Sequence, residues 1–502
     1  MNITLEMIQQ RVPGAKLTGK PDVLIRDLVQ DSREATPGAL FVAVEGLHVD
    51  GHKFIPQAVE AGAAAVLTTR KPEEAGARIG VPVLTVPDLD GALKGIVPWF
   101  YDYPARKMRL VGIAGTNGKT TTSYLVRHLL RAAGHRVGLI GTIQNMIEDE
   151  VLPARNTTPN IIDLQRLLAR MDRAGISHVV MEVSSHALDM GRVAGCEYDT
   201  AAFSNLTQDH LDYHGTMENY CLAKAKLFDS LSGDVTKQGK KAVVNIDDPA
   251  GKLMLEHADC DHITYSVKDN NASLRASDIK LTGTGASFVV NGDFGRREIA
   301  LKITGLFNVY NVLAAIGCAL AEKVPVETIT GALPLFKGVP GRFEAIDMGQ
   351  KFGVAVDYSH TPDGLENVLG AARGIARGRV VVVFGCGGDR DRTKRPIMGR
   401  IAAELADIVI VTSDNPRSED PEAILAEILP GVREKIGAKR YEVLADRREA
   451  IFRAIKLAEA GDMVVIAGKG HEDYQILKDK TIHFDDREEA KNALEGLLGG
   501  EP

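Results

Sequence analysis

Residues 115–120, Gly-Thr-Asn-Gly-Lys-Thr, have the composition of a loop that binds phosphate. Glycines at both ends of a short turn let backbone N–H groups point at an anion, and the start of a following helix adds positive potential. The ammonium of Lys119 can reach the outer phosphate oxygens, and the hydroxyl of Thr120 can hold Mg²⁺. These residue types therefore predict a site for the phosphates of a nucleotide.

The loop departs from the pattern G-x-x-x-x-G-K-[ST], because Ile113 stands where the first glycine belongs. A bare G-x-x-G-K-T turn can arise by chance, so the flanking segments decide the interpretation. The apolar run 110–114 predicts a buried strand, and the amphipathic run 121–133 predicts a helix. A short glycine turn between a strand and a helix favours the nucleotide site.

Three further side chains in the same region could ligate a metal. Magnesium prefers oxygen ligands, so Glu182 together with Thr120 is the expected pair. A histidine on Mg²⁺ is unusual, and His210 taken alone is more typical of a loop or core histidine. Lys224 taken alone is typical of a solvated helix lysine, as is its neighbour Lys226.

The elements that must position these residues predict an α/β protein of three domains, since 502 residues are too many for one core. The expected domains are a small α/β domain, a central P-loop domain with a doubly wound sheet, and a third, Rossmann-like domain, at 1–104, 105–337 and 338–502. Residues 98–104, which include the only tryptophan, predict a linker packed against the central domain.

Apolar runs bounded by turn residues give the predicted strands and helices. The first domain has predicted strands at 38–44 and 63–68 and a predicted helix at 55–61. The central domain has predicted parallel strands at 110–114, 137–141, 178–183, 200–204 and 242–246, an antiparallel patch within 261–304 and a helix at 305–323. The third domain has predicted strands at 353–356, 380–385, 408–412 and 463–468.

The composition is that of an ordinary globular protein, with 44% hydrophobic and 25% charged residues. A net charge of −7 without a basic run argues against nucleic acid as the main partner. The five cysteines lack C-x-x-C spacing, which is typical of reduced thiols. No signal peptide and no apolar run of ~18 residues is apparent, so we expect a cytoplasmic protein without a membrane partner.

Several motifs occur in the order found in Mur ligases, and the chain resembles that family over essentially its whole length. The matching segments are 115–121 (GTNGKTT), 182–186 (EVSSH), 205–212 (NLTQDHLD), 223–224 (AK), 305–311 (GLFNVYN) and 340–342 (PGR). The resemblance implies a monomeric ATP-dependent amide ligase of peptidoglycan precursor synthesis, which acts on small molecules. It also implies that the first domain binds the UDP-linked substrate, the central domain binds ATP and the third domain binds the amino acid.

The resemblance also implies roles for individual residues. Thr120 and Glu182 would serve one Mg²⁺, and His210 and Lys224 a second, with Lys224 carbamylated by CO₂ so that it offers an anionic oxygen. The expected catalytic set is Lys119, Glu182, His210 and Lys224. The residues implied to bind ATP are Gly115, Thr116, Asn117, Gly118, Lys119, Thr120, Thr121, Asn308, Asn311, Arg342, Asp357 and His360.

The acceptor implied by the resemblance is a UDP-linked muramoyl dipeptide. Its UDP end would be held by Ser32, Leu47, His48 and Val49, and its sugar and peptide by Thr157, Thr158, Ser184 and Arg192. Met190 belongs to the same set, but some relatives carry Gln there, and Met offers no comparable polar contact.

The amino acid to be added is implied by a segment that lysine-adding relatives lack, Asp-Asn-Pro-Arg at 414–417. Meso-diaminopimelate is a lysine with one more carboxylate, which the guanidinium of Arg417 can grip through two hydrogen bonds. Asp414 or Glu472 can balance an ammonium. The full implied set is Arg390, Asp414, Asn415, Pro416, Arg417, Gly468 and Glu472.

The expected reaction makes an acyl phosphate from the acceptor carboxylate and ATP, which the amine of diaminopimelate then attacks. A lysine-adding Mur ligase and a folylpolyglutamate synthetase-like ligase are the enzymatic alternatives, although the latter does not explain residues 1–100 or 414–417. A nucleotide-gated binding protein is the alternative without catalysis.

Overall fold

The structure, a computed structural model, describes residues 2–45, 49–70, 80–232, 236–282 and 285–499. Three sheets with helices packed against them follow one another along the chain, so the predicted α/β class is confirmed. Within the described residues, no helix is long and apolar enough to cross a membrane. The predicted domain boundaries at 104/105 and 337/338 stay predictions.

The first unit is a five-stranded sheet, parallel except for its first strand, with order β2-β7-β6-β5-β4 and a separate β1-β3 pair. Its elements are β1 Ile3–Thr4, α1 Leu5–Gln9, β2 Lys16–Thr18, β3 Leu24–Ile25, β4 Asp27–Val29, β5 Ala39–Val42, α2 Ile55–Glu60, β6 Ala65–Thr68, β7 Val83–Thr85 and α3 Leu89–Phe100. The predicted strands and helix of this unit are confirmed as β5, β6 and α2.

The predicted linker at 98–104 is wrong in its first part. Helix α3 continues through Pro98 to Phe100, although a proline at this position removes one i→i−4 hydrogen bond. Trp99 packs against the core of the first unit, with the guanidinium of Arg11 4.1 Å from its ring centre. Pro98 meets the central unit, since a Cβ at Gly195 would lie 2.5 Å from it.

The central unit is an eleven-stranded sheet with order β11-β10-β9-β12-β8-β13-β14-β15-β16-β17-β18. Its strands are β8 Arg109–Ala114, β9 Val137–Ile140, β10 Gln144–Ile147, β11 Glu150–Pro153, β12 His178–Glu182, β13 Thr200–Phe203, β14 Lys241–Asn245, β15 Asp261–Ser266, β16 Leu274–Thr282, β17 Gly285–Gly292 and β18 Gly295–Leu301. Its helices are α4 Lys119–Ala132, α5 Ile161–Arg173, α6 Ser185–Asp189, α7 Leu211–His214, α8 Met217–Asp229, α9 Gly251–His257, α10 Leu306–Ala321 and α11 Val326–Ala332.

Strand β8 lies at the centre of this sheet, between β12 and β13. The chain therefore reverses direction across the sheet at the carboxyl end of β8, where open α/β sheets bind ligands. The phosphate loop occupies that position. Two apolar clusters cover the faces of the sheet, one under α4 and α10 and the other under α5 and α8.

The antiparallel patch predicted within 261–304 is partly wrong. Strand β15 pairs in parallel with β14, because α9 provides the crossover of a β-α-β unit between them. Among the described strands of this segment, only β16, β17 and β18 form antiparallel pairs, and they extend the same sheet. The antiparallel hairpin of β10 and β11 at the opposite edge was not predicted.

The third unit is a six-stranded sheet with order β19-β20-β24-β21-β22-β23, in which β20 to β24 are parallel. Its strands are β19 Glu344–Ala345, β20 Gly353–Asp357, β21 Val380–Phe384, β22 Ile408–Val411, β23 Arg440–Val443 and β24 Met463–Ala467. A separate antiparallel pair is formed by β25 Tyr474–Ile476 and β26 Thr481–His483. Its helices are α12 Pro362–Ile375, α13 Lys394–Leu405, α14 Pro421–Lys435, α15 Arg447–Leu457 and α16 Asp486–Leu498. The four predicted strands are confirmed as β20, β21, β22 and β24.

Candidate active site

The phosphate loop connects β8 to α4 and is packed too tightly for side chains at its two glycines. Gly115 has φ +146°, and a Cβ there would lie 1.9 Å from the hydroxyl of Ser204. Gly118 has φ +86°, and a Cβ there would lie 2.3 Å from Oδ1 of Asn311. Only glycine fits both the backbone conformation and the space, so the turn that exposes the N-terminus of α4 depends on these two residues.

Lys119 folds back over the loop and donates hydrogen bonds to the carbonyls of Gly115 and Thr116 at 2.9 and 2.8 Å. Burial lowers the pKa of this ammonium, and the nearby guanidinium of Arg342 lowers it further. Both carbonyl bonds can be exchanged for phosphate oxygens, which accept from an ammonium more strongly than neutral oxygens do. The ammonium thus lies against the phosphate loop, next to the expected position of the phosphates.

Glu182, fully buried at the end of β12, accepts hydrogen bonds from hydroxyl groups beside the phosphate loop. Its Oε2 accepts from the hydroxyls of Thr120 and Thr142, both at 2.9 Å, and its Oε1 accepts from the backbone N–H of Thr142 at 3.0 Å. A carboxylate and two hydroxyls form a set of hard oxygen donors that suits Mg²⁺. The residues present therefore fit the first predicted metal.

Lys224 on α8 is fully buried beside the phosphate loop. Its Nζ donates to the carbonyl of Gly115 at 2.9 Å and lies 4.2 Å from the ring centre of Tyr220. Burial, reinforced by the charge of Lys119, holds the pKa of Lys224 well below its usual range. An amine in its neutral form can react with CO₂, and a carbamate there would turn repulsion from Lys119 into attraction. The environment thus fits the predicted modification.

His210, the second residue predicted for that metal, stands at the start of α7 with φ +54°. Its Nε2 lies 3.4 Å from a carboxylate oxygen of Asp209, and its ring packs edge-on against His186 at 4.8 Å. Burial lowers the pKa of His210 despite the carboxylate of Asp209, so the ring is neutral and can offer a lone pair. Within the described residues, no group of three His, Cys, Asp or Glu side chains is placed to hold a metal. Mg²⁺ bound here would therefore need phosphate oxygens or waters as further ligands.

Arg342 brings the third unit onto the phosphate loop. Its Nη2 donates to the hydroxyl of Thr120 at 3.0 Å, and its guanidinium lies 4.5 Å from the ring centre of Tyr358. Its Nε is buried and has no hydrogen-bond partner within the described residues. A cation directed at the loop with an unused donor is placed to contact a phosphate group.

A cavity of about 320 Å³ lies beside the loop, between the central and third units. Asn311 and Asp357 line it, whereas Asn308 lies behind Asn311 and supports it by accepting from its amide at 3.1 Å. Burial raises the pKa of Asp357, although hydrogen bonds from Ser359 and Phe343 oppose the shift. The cavity has the position expected for a nucleoside. His360 lines the adjoining cavity around Lys119 and Glu182 instead.

The loops after β21, β22 and β24 meet at the carboxyl edge of the third sheet. A Cβ at Gly387 would lie 2.8 Å from Nη1 of Arg417 and 3.8 Å from Cγ of Arg390, so these two arginines flank one glycine. Arg417 donates to the carbonyl of Gly388 at 2.9 Å, and Arg390 to the carbonyl of Asp389. Within the described residues, neither guanidinium is paired with a carboxylate.

Asp414, Gly468 and Glu472 complete this edge. A Cβ at Gly468 would lie 2.5 Å from Oδ2 of Asp414, so the two loops touch. Glu472 accepts at Oε2 from the amide of Asn415 and from the fully buried ammonium of Lys469, both at 2.9 Å. Pro416, between Asn415 and Arg417, accepts a backbone bond from Glu419. The structure thus brings the predicted amino-acid-binding residues together.

A second cavity, of about 690 Å³, lies between the first and central units. Ser32 and Val49 line it, together with Arg155 and Asn160 of the central unit. The hydroxyl of Ser32 donates to Gln57 at 2.9 Å. Leu47 and His48, predicted for the same role, lie outside the described residues. The cavity is large enough for part of a nucleotide sugar.

Thr157, Thr158 and Ser184 lie close to Glu182, and Thr157 lines the cavity around Lys119. Thr157 shares a hydrogen bond with Thr142, whereas Thr158 donates to the carbonyl of Glu182 and accepts from the N–H of Ser184 at 3.0 Å. Thr158 is thus already engaged in orienting β12. A guanidinium nitrogen of Arg192 lies 3.1 Å from the sulfur of Met190, and Met190 itself is exposed.

Comparison with known proteins gives the family of this chain. Family models described as the Mur ligase middle domain, the Mur ligase glutamate ligase domain and the Mur ligase family catalytic domain match residues 113–319, 341–470 and 25–101. The UDP-N-acetylmuramoyl-L-alanyl-D-glutamate–2,6-diaminopimelate ligase of Bacillus licheniformis is 48% identical over 477 residues, which cover 95% of this chain and 96% of that protein. The chain belongs to the Mur ligase family. The predicted family and enzyme class are confirmed.

Other relatives of this Mur ligase agree. The enzyme of the same name from Geobacillus thermodenitrificans is 47% identical, over 98% of this chain and 99% of its own. A solved structure of a diaminopimelate ligase of that name has a TM-score of 0.67 and 34% identity, and covers 99% of this chain. A MurF ligase from Thermotoga maritima in complex with ADP has a TM-score of 0.65 at 19% identity, which shows the shared fold alone.

Several side chains at the site of this Mur ligase were missed by sequence reasoning. Thr142 and Lys469 contact predicted residues, and the ring of Tyr358 lies 4.7 Å from His360 and 5.0 Å from His471. Lys469 and His471 stand in the same Gly-Lys-Gly-His-Glu segment as Glu472, so their neighbourhood was visible in the sequence. Thr142 carried no signal, because its partner Glu182 lies 40 positions away.

Proposed function

We propose that this Mur ligase joins meso-diaminopimelate to the D-glutamate carboxylate of UDP-N-acetylmuramoyl-L-alanyl-D-glutamate at the expense of ATP. The observation that carries the choice of amino acid is the pair Arg417 and Arg390, which flank Gly387 without a carboxylate partner in the described residues. A lysine side chain has no carboxylate to offer there and would leave both cations unpaired. Diaminopimelate supplies the missing anion.

The order of events follows from which groups carry charge. A carboxylate oxygen of the acceptor attacks the γ-phosphorus of ATP, the bond to the β–γ bridging oxygen breaks, and ADP leaves. The amine of diaminopimelate then attacks the acyl carbon and loses a proton, and phosphate departs with the C–O bond electrons. Conversion of the carboxylate into an acyl phosphate replaces a poor leaving group on the acyl carbon with phosphate, which leaves readily. No nucleophilic Ser or Cys is therefore needed.

The chain's own residues hold the reacting groups together. Lys119 and the N–H groups of the phosphate loop bind the outer phosphates, and Arg342 approaches the same place from the third unit. These donors are fixed before the reaction, so they stabilise the charge that develops on the transferred phosphoryl group without reorganisation. Ser32 and Val49 would hold the UDP end of the acceptor in the larger cavity.

Two Mg²⁺ ions belong to the same proposal. Thr120 and Glu182 would hold one, and His210 and a carbamate on Lys224 the other; when bound, the ions would neutralise charge between the two anionic substrates. Catalysis by a monomer in the cytoplasm remains part of the proposal. So do the domain boundaries at 104/105 and 337/338.

The test measures phosphate release and the mass of the UDP-linked product with ATP, Mg²⁺ and the UDP-muramoyl dipeptide. We expect phosphate and product with meso-diaminopimelate, and little of either with L-lysine or without an amino acid. Phosphate release without incorporation of either amino acid into the product would contradict the ligase reaction. A preference for L-lysine would overturn the assignment of Arg417 and Arg390 while leaving the ligase reaction intact.

A further inference from the structure

A side-chain hydrogen bond joins the phosphate loop to a helix of the third unit. Nδ2 of Asn117 donates to Oδ2 of Asp363 at 2.5 Å, across 246 positions of sequence. Asp363 lies in the first turn of α12, directly after the loop that carries Asp357 and His360. The contact therefore links the loop that binds phosphate to the segment that lies over it.

Asn117 reaches across from a fixed position. Its backbone N–H donates to Oδ1 of Asn205 at 2.9 Å, and its carbonyl accepts from the hydroxyl of Ser204 at 2.6 Å and from the amide of Asn205 at 3.1 Å. With the backbone held on both sides by the loop after β13, only the side chain is left to contact the third unit. The position of Asp363 is thus tied to the conformation of the phosphate loop.

Within the described residues, Asp363 forms no ion pair, and its side-chain hydrogen bond comes from the neutral amide of Asn117. Burial raises the pKa of the carboxyl, although the neutral side chains of Asn117, Thr207 and Asn367 oppose the shift. The bond to Asn117 is therefore a partly buried hydrogen bond between units and not an exchangeable surface ion pair. Its strength depends on an acceptor oxygen at this position more than on the negative charge.

Only two polar side-chain contacts join residues 115–121 to the third unit within the described residues. They are Asn117 to Asp363 and Arg342 to Thr120. The second uses a hydroxyl that is also a predicted metal ligand, so it must change when nucleotide and metal bind. The first uses the side chain of Asn117, which belongs to the implied ATP-binding loop, but it involves no predicted metal ligand.

We propose that Asp363 is a positioning residue, which docks the third unit on the phosphate loop so that Arg342, Asp357 and His360 lie over bound nucleotide. Four residues separate Asp357 from α12, and fixing the first turn of that helix limits how far the intervening loop can move. This role rests on the proposed function, because it gives the third unit a part in nucleotide binding.

The experiment compares Asp363→Ala, Asp363→Asn and the control Glu404→Ala, which removes an exposed carboxylate from α13 of the same unit. We measure Kd for ADP with MgCl₂ by calorimetry, kcat and KM for ATP, and the melting temperature. Loss of the hydrogen bond in Asp363→Ala should weaken ADP binding and lower kcat/KM for ATP by about tenfold. The carboxamide oxygen of Asp363→Asn can still accept, so that variant should recover most of the loss.

A double variant separates docking from a general effect on stability. Asn117→Ala combined with Asp363→Ala should bind ADP no more weakly than the worse single variant, because both remove the same bond. Fully additive losses, or an Asp363→Ala enzyme that matches Glu404→Ala, would overturn the proposal. If Asp363→Ala does not fold, Asp363→Ser keeps a polar residue in the first turn but is too short to reach Asn117, and the same comparison applies.

Failure of the proposed function gives a different result. A wild-type protein that binds ADP but forms no product with diaminopimelate would contradict the ligase reaction. The ADP affinities of the Asp363 variants would still decide whether this residue docks the third unit.

Discussion

The guanidinium of Arg342 and the hydroxyl of Thr120 share a hydrogen bond of 3.0 Å between the third unit and the helix that follows the phosphate loop. Thr120 also donates to Glu182, so one hydroxyl joins a cation from one sheet to a carboxylate from another. A bound metal would need the same oxygen. Arg342 and a metal at the predicted site would thus compete for Thr120, and both would neutralise phosphate charge.

Replacing Arg342 by Met should lower kcat/KM for ATP by roughly tenfold to a hundredfold, since a charge-assisted hydrogen bond to phosphate is lost. The Mg²⁺ concentration for half-maximal activity should not rise, because a competitor for Thr120 has been removed. Steady-state kinetics at several Mg²⁺ concentrations measures both. Arg296→Met, in an exposed hairpin, is the matched control; equal kinetics for the two variants would refute the role of Arg342.

Lys224→Ala should lower kcat by roughly 10²–10³-fold, because a fixed electrostatic group beside the phosphates disappears. Added formate or acetate should restore part of the activity if a carbamate is what has been lost. The control is Lys226→Ala on the same helix, which removes only an exposed ion pair with Asp189. An active Lys224→Ala enzyme would exclude the carbamate. Mass spectrometry of the native protein with and without bicarbonate provides a direct measurement.

Arg417→Ala should lower kcat/KM for diaminopimelate roughly 30- to 4,000-fold. This corresponds to a loss of about 2–5 kcal/mol of interaction free energy, because the carboxylate of the substrate would be buried without its partner. Activity with L-lysine, which has no such carboxylate, should change little. The ratio of the two specificity constants is therefore the measurement. Arg433→Ala, at an exposed position of α14, is the control. A uniform loss for both amino acids would mean that Arg417 acts on the fold instead.

His178 should make the stability of the protein depend on pH. Burial, with the charges of His135 and Arg109, lowers the pKa of His178 to about 4. Glu322 lies 3.6 Å from its Nε2, but that carboxylate is already engaged by Arg109 and Thr200. The folded state thus binds fewer protons than the unfolded state between about pH 4 and the ordinary value near 6.5.

The free energy of unfolding should therefore fall as the pH drops through that window, by about 2 kcal/mol at pH 5 relative to neutral pH from this group alone. Denaturant unfolding of the wild type and of His178→Leu, measured from pH 7.5 to 5, isolates the term because the other titrating groups are common to both. Parallel pH profiles for the two proteins would contradict the prediction.

Periodicity was sufficient for the parts of the fold in which one segment decides its own structure. The strand before Gly115 and the helix after Lys119 follow from an apolar run and an amphipathic run on either side of a glycine turn. The pairing direction of β15 did not follow, because parallel or antiparallel pairing depends on the crossover helix α9 and on the edge of β14 that is available. The packing of Trp99 did not follow either, because its ring contacts the guanidinium of Arg11, which is distant in the sequence.

The sequence by itself determined the phosphate loop, since its glycines, lysine and threonine are adjacent in the chain and their chemistry is local. It also determined the family, because several short motifs keep their order and spacing. Only the tertiary structure decided that Asn117 contacts Asp363, that Thr142 supports Glu182, and that Arg390 and Arg417 flank one glycine. These pairs come from separate strands and loops, and their distances depend on how sheets and helices pack, which no local pattern records.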